Sequence, residues 1–325
     1  MSQELLEIYR DMVFLRVFDE EWKRFSHMGR VGNVPLTWGL EAVYAGSMRA
    51  LEAEDWVFPS YRETSASILR GVPAATVLAM ERGHPGGWWD PWSHNVAPPS
   101  IPVGSHVSHA VGYAWGTRLA GLPHCTIVYF GDGATSEGAF HEGANYAALT
   151  KAPVVLMCNN NGWAISTPVS RQSAAATLAA KAEGYGMPGV RVDGHDVLAV
   201  RDATAEALAR ARDGGGPTLI EAVTVRTGAH AAVDDPSLYM DQEAVERERS
   251  KDCLARYEQE LQDRDLLDED TRQRYHDEAR SITRTAMQEA EALEDPLPGA
   301  ILGSVYAEPA ATIESSGQAF QEERR

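Results

Sequence analysis

Two polar segments, each following an apolar run, carry the residue types that a bound divalent metal and a phosphate group require. Asp132 follows the run at 125–130, and Asn161 follows the run at 153–158. Carboxylate and amide oxygens are ligands that Mg²⁺ prefers. A backbone carbonyl just beyond, such as that of Trp163, can supply a third oxygen. These residues therefore indicate a magnesium site that would also hold a diphosphate.

The glycines beside Asp132 favour the same interpretation. Gly131 and Gly133 have no Cβ, so the backbone can approach phosphate oxygens closely. A helix predicted to open near Ser136 would point N–H groups toward the same anion. A Gly-Asp-Gly triplet alone is common in turns. Its position after one predicted strand, with an asparagine pair after the next, makes the pattern far more specific.

The elements that must position these residues alternate between strands and helices. Strands are predicted at 125–130, 153–158, 189–192 and 217–225, and helices at 136–149, near 173–185 and at 196–212. This alternation predicts an α/β fold, with a mainly parallel sheet and helices on both faces. Ligands of such folds collect at the carboxyl ends of the strands. Outside this core we expect helices at 3–26 and 39–51, an irregular stretch at 83–105 and a charged helical region at 241–294.

Composition limits the classes of protein to consider. The chain has 325 residues and a net charge of −18, so its surface repels nucleic-acid phosphates, and a diphosphate site must be locally positive or hold a metal. We expect no membrane span, because no apolar run is long enough, and no signal peptide. The three cysteines lack ligand spacing and fit a reducing cytoplasm.

Residues 131–168, GDGATSEGAFHEGANYAALTKAPVVLMCNNNGWAISTP, closely resemble the thiamine-diphosphate motif of the alpha subunits of pyruvate and branched-chain 2-oxo acid dehydrogenases. Further matching segments lie at 32–46, 54–63, 192–197 and 224–239. The resemblance extends from about residue 5 to 307. It implies the thiamine-diphosphate-binding fold with a helical C-terminal extension, in one domain over 1–308. Residues 309–325 are expected to form a polar, frayed tail.

The resemblance also assigns site residues. It implies Mg²⁺ ligands at Asp132, Asn161 and the carbonyl of Trp163. The residues implied to contact thiamine diphosphate are Tyr61, Arg62, Val103, Gly131, Gly133, Ala134, Asn161, Ile165 and His230. Tyr61 and Arg62 would reach the diphosphate, and the backbone of Val103 would bond the aminopyrimidine. His230 and Arg226 resemble the catalytic pair of the active-site loop.

The activity implied by the resemblance is the decarboxylation of a 2-oxo acid, either pyruvate or a branched one. The acyl unit would pass to a lipoyl group on an acyltransferase or carrier protein. A glutamate that activates the cofactor lies on the beta subunit in two-chain relatives. We therefore expect an α₂β₂ heterotetramer with a site at the α/β interface, and an inactive isolated chain.

The chain departs from the family pattern at several positions. Asn159 stands where branched-chain members often carry a basic residue facing the diphosphate. Three tryptophans at 88, 89 and 92 cover the core or a subunit interface, or they shape the substrate entrance together with His94. His106 and His109 either pack helices or bind a hydroxylated donor. The second role would favour a transketolase-like transfer of a two-carbon ketol unit. A non-catalytic scaffold or regulatory subunit is the third alternative.

Overall fold

The central sheet of the computed structural model, which describes residues 2–32, 35–231, 234–249 and 251–294, is parallel throughout. Within these ranges its five strands are β1 (Trp56–Phe58), β2 (Thr126–Gly131), β3 (Val154–Asn160), β6 (Gly189–Asp193) and β7 (Thr218–Val223). Their order across the sheet is β1-β2-β3-β7-β6. A two-stranded hairpin, β4 (Trp163–Ala164) with β5 (Thr167–Pro168), follows β3.

Alternate side chains of the strands supply two separate cores, because successive residues of a strand point to opposite faces. Ile127 and Tyr129 of β2 belong to one hydrophobic cluster, while Val128 and Phe130 belong to the other. All four strand residues are buried, as expected for near-continuous apolar strands of a parallel sheet that is covered on both faces. The predicted α/β fold with a parallel sheet is confirmed.

Helices cover both faces of the sheet. Before β2 they are α1 (Ser2–His27), α2 (Glu41–Arg49), α3 (Ala74–Glu81), α4 (Pro91–His94) and α5 (Ser105–Leu119). After β2 they are α6 (Gly138–Thr150), α7 (Lys181–Tyr185), α8 (Val197–Arg212), α9 (Gln242–Arg249), α10 (Cys253–Asp263) and α11 (Glu269–Glu291). Helices α5 and α6 pack on one face, and α2 and α8 on the other. Gly46 permits the close approach of α2 to α8, because an added Cβ would lie 2.5 Å from the carbonyl oxygen of Val197.

The C-terminal helices pack against the first helix and confirm the predicted helical extension. Tyr257 and Leu261 of α10 join Ile8 and Met12 of α1 in a third buried cluster, and α11 lies along α1 and α3. The predicted tail at 309–325 lies outside the described residues. None of the described helices is long and apolar enough to cross a lipid bilayer.

The predicted helix near 173–185 is wrong over most of its length, since only Lys181–Tyr185 is helical. Ser173 and Thr177 explain the difference, because their hydroxyls accept hydrogen bonds from the backbone N–H groups of Ala175 and Ala180. Such local bonds compete with the helical pattern. The short strand β1 was not predicted, although it forms the edge that carries the first site residues.

Candidate active site

The predicted site residues come together at the carboxyl ends of four neighbouring strands. Tyr61 and Arg62 follow β1, Asp132 follows β2, Asn161 follows β3, and His230 lies beyond β7. Because the strands are parallel, these ends meet at one edge of the sheet. Residues from distant parts of the sequence thereby border one cavity.

This cavity, called the cofactor cavity below, has a volume of about 200 Å³. Its wall contains every residue predicted to contact the cofactor or the metal: Tyr61, Arg62, Val103, Gly131, Asp132, Gly133, Ala134, Asn161, Trp163, Ile165 and His230. Arg226, predicted as catalytic, borders a neighbouring cavity instead. Ser60, Glu63, His106, Glu137 and Asn159 also line the cofactor cavity, although none of them was predicted to contact the cofactor.

The turn after β1 is held by a buried carboxylate. Glu63 accepts hydrogen bonds from the backbone N–H of Ser60 at 2.8 Å, the hydroxyl of Tyr44 at 2.7 Å and Nδ2 of Asn159 at 2.9 Å. The Ser60 hydroxyl in turn accepts from the N–H of Arg62, which completes a capping box. Glu63 is a positioning residue that the sequence analysis missed. The Ser-x-x-Glu spacing that precedes a short helix was the signal for it.

Asp132 is a buried carboxylate with little local compensation. It is 2% exposed, and Nε2 of Gln172 donates to its Oδ2 at 2.9 Å. Burial raises the pKa of Asp132, and the positive charges of Arg226 and Arg62 oppose that rise. A bound cation at this carboxylate would favour the ionised form, which fits the predicted metal site.

The two glycines beside Asp132 serve different purposes. An added Cβ at Gly133 would lie 2.7 Å from the Cβ of Ala164, so this glycine allows the β4–β5 hairpin to pack closely. An added Cβ at Gly131 would meet nothing within 4 Å. Gly131 therefore leaves the cavity open beside Asp132, as a ligand at the backbone requires.

Asn161 already accepts two hydrogen bonds from the backbone. Its Oδ1 accepts from the backbone N–H of Trp163 at 3.1 Å, and its carbonyl accepts from the N–H of Arg226. An amide oxygen has a second lone pair, so Oδ1 can also face a cation. No cluster of three or more His, Cys, Asp or Glu side chains suits a metal among the described residues. The predicted ligand set contains one carboxylate and does not depend on such a cluster.

Arg62 and His230 form a direct pair. Nη2 of Arg62 lies 3.1 Å from Nδ1 of His230 and 3.3 Å from its carbonyl oxygen. Since a guanidinium only donates, Nδ1 accepts, and the proton of the neutral ring is on Nε2. Burial, together with the charges of Arg62 and Arg226, lowers the pKa of His230 to about 4. His230 is therefore neutral near pH 7.

Arg226 is a buried cation without a full set of partners. It is 5% exposed, and its Nη2 donates to the carbonyl of Ile165 at 2.6 Å and to the hydroxyl of Tyr239 at 2.7 Å. Its Nε and Nη1 have no hydrogen-bond partner. Burial lowers the pKa of Arg226 and so disfavours its charged form. Unpaired buried donors of this kind suit an anionic ligand.

Two residues that depart from the family pattern lie at the cofactor cavity. Nε2 of His106 donates to the carbonyl of Tyr129 at 2.6 Å, so Nδ1 is an acceptor, and it has no partner. Asn159 turns its Nδ2 to Glu63, while its buried Oδ1 also has no partner. His109 is exposed on α5 and lies outside this wall.

The tryptophans have separate roles. Trp89 is buried, and its Nε1 donates to the carbonyl of Val96 at 2.9 Å, so it packs in the core. Trp92 is exposed and packs edge-on against Trp56, with ring centroids 4.9 Å apart. Neither residue borders the cofactor cavity.

The residues fit a metal-bound diphosphate. An open backbone at Gly131, the buried carboxylate of Asp132 and the guanidinium of Arg62 border one cavity, and the buried cation Arg226 lies beside it. The fold and this cavity define an α/β enzyme subunit with its ligand site at the carboxyl edge of a parallel sheet.

Comparison with known proteins identifies the family. The model of the dehydrogenase E1 component family matches residues 9–298, and the chain belongs to this family. The 3-methyl-2-oxobutanoate dehydrogenase subunit alpha of Mycobacterium tuberculosis is 44% identical over 265 residues, which is 82% of this chain and 72% of that protein. The pyruvate dehydrogenase E1 component subunits alpha of Staphylococcus epidermidis and Staphylococcus aureus are 36% identical over 322 residues, 99% of this chain and 87% of theirs.

These matches confirm the resemblance to the alpha subunits of 2-oxo acid dehydrogenases. Membership in the family implies thiamine diphosphate as the cofactor, a beta subunit as the partner and a 2-oxo acid as the substrate.

Proposed function

We propose that this chain, as the alpha subunit of a 2-oxo acid dehydrogenase, holds the diphosphate of its cofactor through Mg²⁺ at Asp132, Asn161 and the carbonyl of Trp163. The observation that carries the proposal is the convergence of four strand ends on one cavity with a buried carboxylate and Arg62 in its wall. The buried Asp132 lacks a cation among its direct hydrogen-bond partners, and a divalent ion would stabilise its ionised form.

Thiamine diphosphate, when bound, supplies the electron sink that decarboxylation of a 2-oxo acid needs. The chain's own residues bind and orient it. Arg62 can donate to phosphate oxygens from its remaining N–H groups, since Nη1 is used by the carbonyl of Leu36 at 2.6 Å and Nη2 by His230. His230 lines the cavity and carries its proton on Nε2, so this residue can stabilise negative charge or transfer a proton there.

The beta subunit would complete the active site at the open side of the cofactor cavity. Val103 and Ile165 are on the cavity wall and are 48% and 55% exposed. Glu63 cannot activate the cofactor, because its oxygens are occupied by Ser60, Tyr44 and Asn159. The activating glutamate is proposed to come from the beta subunit, as the resemblance to two-chain relatives implies, within an α₂β₂ assembly. The acyl unit would pass to a lipoyl group on an acyltransferase or carrier protein, and a cytoplasmic location stays a prediction.

A transketolase-like transfer of a ketol unit is a second candidate. The observation that favours it is the free acceptor Nδ1 of His106 beside the cofactor cavity, which suits a hydroxylated donor. Assays of the α/β complex with pyruvate, 3-methyl-2-oxobutanoate and a ketose phosphate would separate the two. Release of carbon dioxide from a 2-oxo acid supports the first function, and ketol transfer without it supports the second.

The metal assignment is tested by cofactor binding to the α/β complex. Titration with thiamine diphosphate in the presence of Mg²⁺ is expected to give tight binding, which is lost on chelation. We expect Asp132→Ala to weaken binding at least tenfold, because the buried metal ligand is removed. Asp193→Ala is the control, since Asp193 ends β6 at the same edge but lies outside the cavity wall. Unchanged binding in Asp132→Ala would show that the metal lies elsewhere.

A further inference from the structure

A second cavity lies beside the cofactor cavity and shares two wall residues with it, Arg62 and Asn161. Its volume is about 520 Å³. It is bordered by the end of α1, by the segment that precedes α2 and by the segment from Val225 to Asp234. The cofactor assignment leaves this space without a function.

Positive charge predominates in the wall of the second cavity. Its cationic residues are Lys23, Arg62 and Arg226, and its acidic residue is Asp234. Asp234 already accepts hydrogen bonds from the backbone N–H of His230 and the hydroxyl of Tyr239. In a chain of net charge −18, such a concentration of cations marks an anion site.

Arg226 is the strongest argument for a ligand here. It forms no ion pair with any carboxylate in the described ranges, and the acceptors of its Nη2 are neutral groups, among them the Ile165 carbonyl and the Tyr239 hydroxyl. Its Nε and Nη1 are buried and unpaired. A buried cation left in this state is costly, and an anion in the adjoining space would compensate it. Lys23, half-buried at the same cavity, also lacks an ion pair with the described residues.

Apolar side chains form another part of the wall. Leu36, Trp38, Leu40 and Val225 border the same space, and Trp38 is 42% exposed. A cavity with cationic groups and apolar side chains suits an organic anion that has an apolar body. Inorganic phosphate has no apolar part, so it would leave these apolar side chains in contact with water.

We propose that the second cavity binds the 2-oxo acid substrate, with its carboxylate at Lys23 and Arg226 and its alkyl group against Leu36, Leu40 and Trp38. The inference rests on the proposed function, since it names where that substrate is received. The shared wall of Arg62 and Asn161 places the bound acid next to the predicted metal site. Lys23 and Arg226 are thus specificity-determining residues for a carboxylate substrate.

The test uses the α/β complex loaded with thiamine diphosphate and Mg²⁺. Lys23→Gln is expected to raise KM for 3-methyl-2-oxobutanoate about tenfold, the effect of losing one charge-assisted hydrogen bond, while kcat changes less than twofold. The inhibition constant of 3-methylbutanoate should rise by the same factor, and that of 3-methylbutanamide should not, because the amide has no charge. Lys23→Arg should restore both constants.

Arg24→Gln is the matched control, because the Arg24 side chain is 61% exposed and lies outside the second cavity. An unchanged KM and inhibition constant in Lys23→Gln would overturn the proposal, as would an equal loss for acid and amide.

A failure of the proposed function is measured separately. If the wild-type complex decarboxylated no 2-oxo acid, the proposed function would be refuted. Binding of 3-methylbutanoate to the second cavity would still be measurable as quenching of tryptophan fluorescence. The loss of this quenching in Trp38→Phe would identify Trp38 as its source. Binding that Lys23→Gln weakens would support an organic-anion site, and binding that it leaves unchanged would refute one.

Discussion

Arg226 donates a hydrogen bond from Nη2 to the carbonyl oxygen of Ile165 at 2.6 Å, which joins the segment after β7 to the β4–β5 hairpin. Ile165 has a φ of +52°, a left-handed conformation that a β-branched residue rarely adopts. Strain of this kind persists only where surrounding contacts maintain it. The bond from Arg226 therefore helps to hold a strained residue at the rim of the cofactor cavity.

Replacement of Ile165 tests this strain. Ile165→Asn should stabilise the cofactor-free α/β complex by roughly 1 kcal/mol, because asparagine tolerates the left-handed region at lower cost. Ile165→Val keeps a β-branched side chain and should leave stability nearly unchanged. Thermal unfolding of the three complexes measures the difference. Equal stability of the asparagine and isoleucine forms would mean that the conformation is not strained.

The pKa of His230 should depend on both Arg62 and the cofactor. In the cofactor-free complex, NMR of labelled histidine should show the Nε2–H tautomer near pH 7 and titration near pH 4. Arg62→Gln removes a neighbouring positive charge and should raise this pKa. Bound diphosphate should also raise it, because a nearby anion favours the imidazolium. A value near 6.5 in the unaltered cofactor-free complex would contradict the pairing with Arg62.

The same shift predicts how acid affects stability. The pKa of His230 is about 4 in the folded chain and about 6.5 in an unfolded chain, so the unfolded state binds more protons between these values. The contribution of His230 to stability is complete above about pH 6.5 and is lost as the pH falls toward 4. Denaturant unfolding of the cofactor-free complex across this range should show the loss. His230→Gln, which does not titrate, should reduce the slope.

Much of the site followed from the sequence because strand ends and their polar residues are local signals. Asp132 and Asn161 each follow a strand, and a parallel sheet brings such ends together. Glu63 was missed because its role depends on Tyr44 and Asn159, which are distant in sequence. The location of Arg226 beside a second cavity depends on where the segment after β7 folds, and no local pattern specifies that.

Glu63 should control cofactor affinity without contacting the reacting atoms. In Glu63→Gln, an amide NH₂ would face donors that the carboxylate now accepts from, such as the N–H of Ser60. The turn bearing Tyr61 and Arg62 should loosen, and the dissociation constant of thiamine diphosphate should rise about tenfold, as for one lost hydrogen bond to a charged group. Glu54→Gln, at an exposed position before β1, is the control. If affinity held in Glu63→Gln, the capping box would not be needed to present Arg62.

Asp234 should hold His230 in place. Its Oδ2 accepts from the backbone N–H of His230 at 2.6 Å and from the hydroxyl of Tyr239 at 2.5 Å, and that hydroxyl accepts from Arg226. Asp234→Ala removes both bonds, so His230 should lose its position. We expect kcat to fall about tenfold or more, because small displacements of a reacting group cost large factors in rate.

Tyr239→Phe separates the two bonds, since it retains the bond from Asp234 to His230 and should cost less activity than Asp234→Ala. Steady-state kinetics and protease cleavage of the segment between β7 and α9 would measure both effects. Faster cleavage in Asp234→Ala would accompany the loss of kcat if the carboxylate orders the segment. A normal kcat and normal protection in that variant would show that His230 is positioned by Arg62 without help from Asp234.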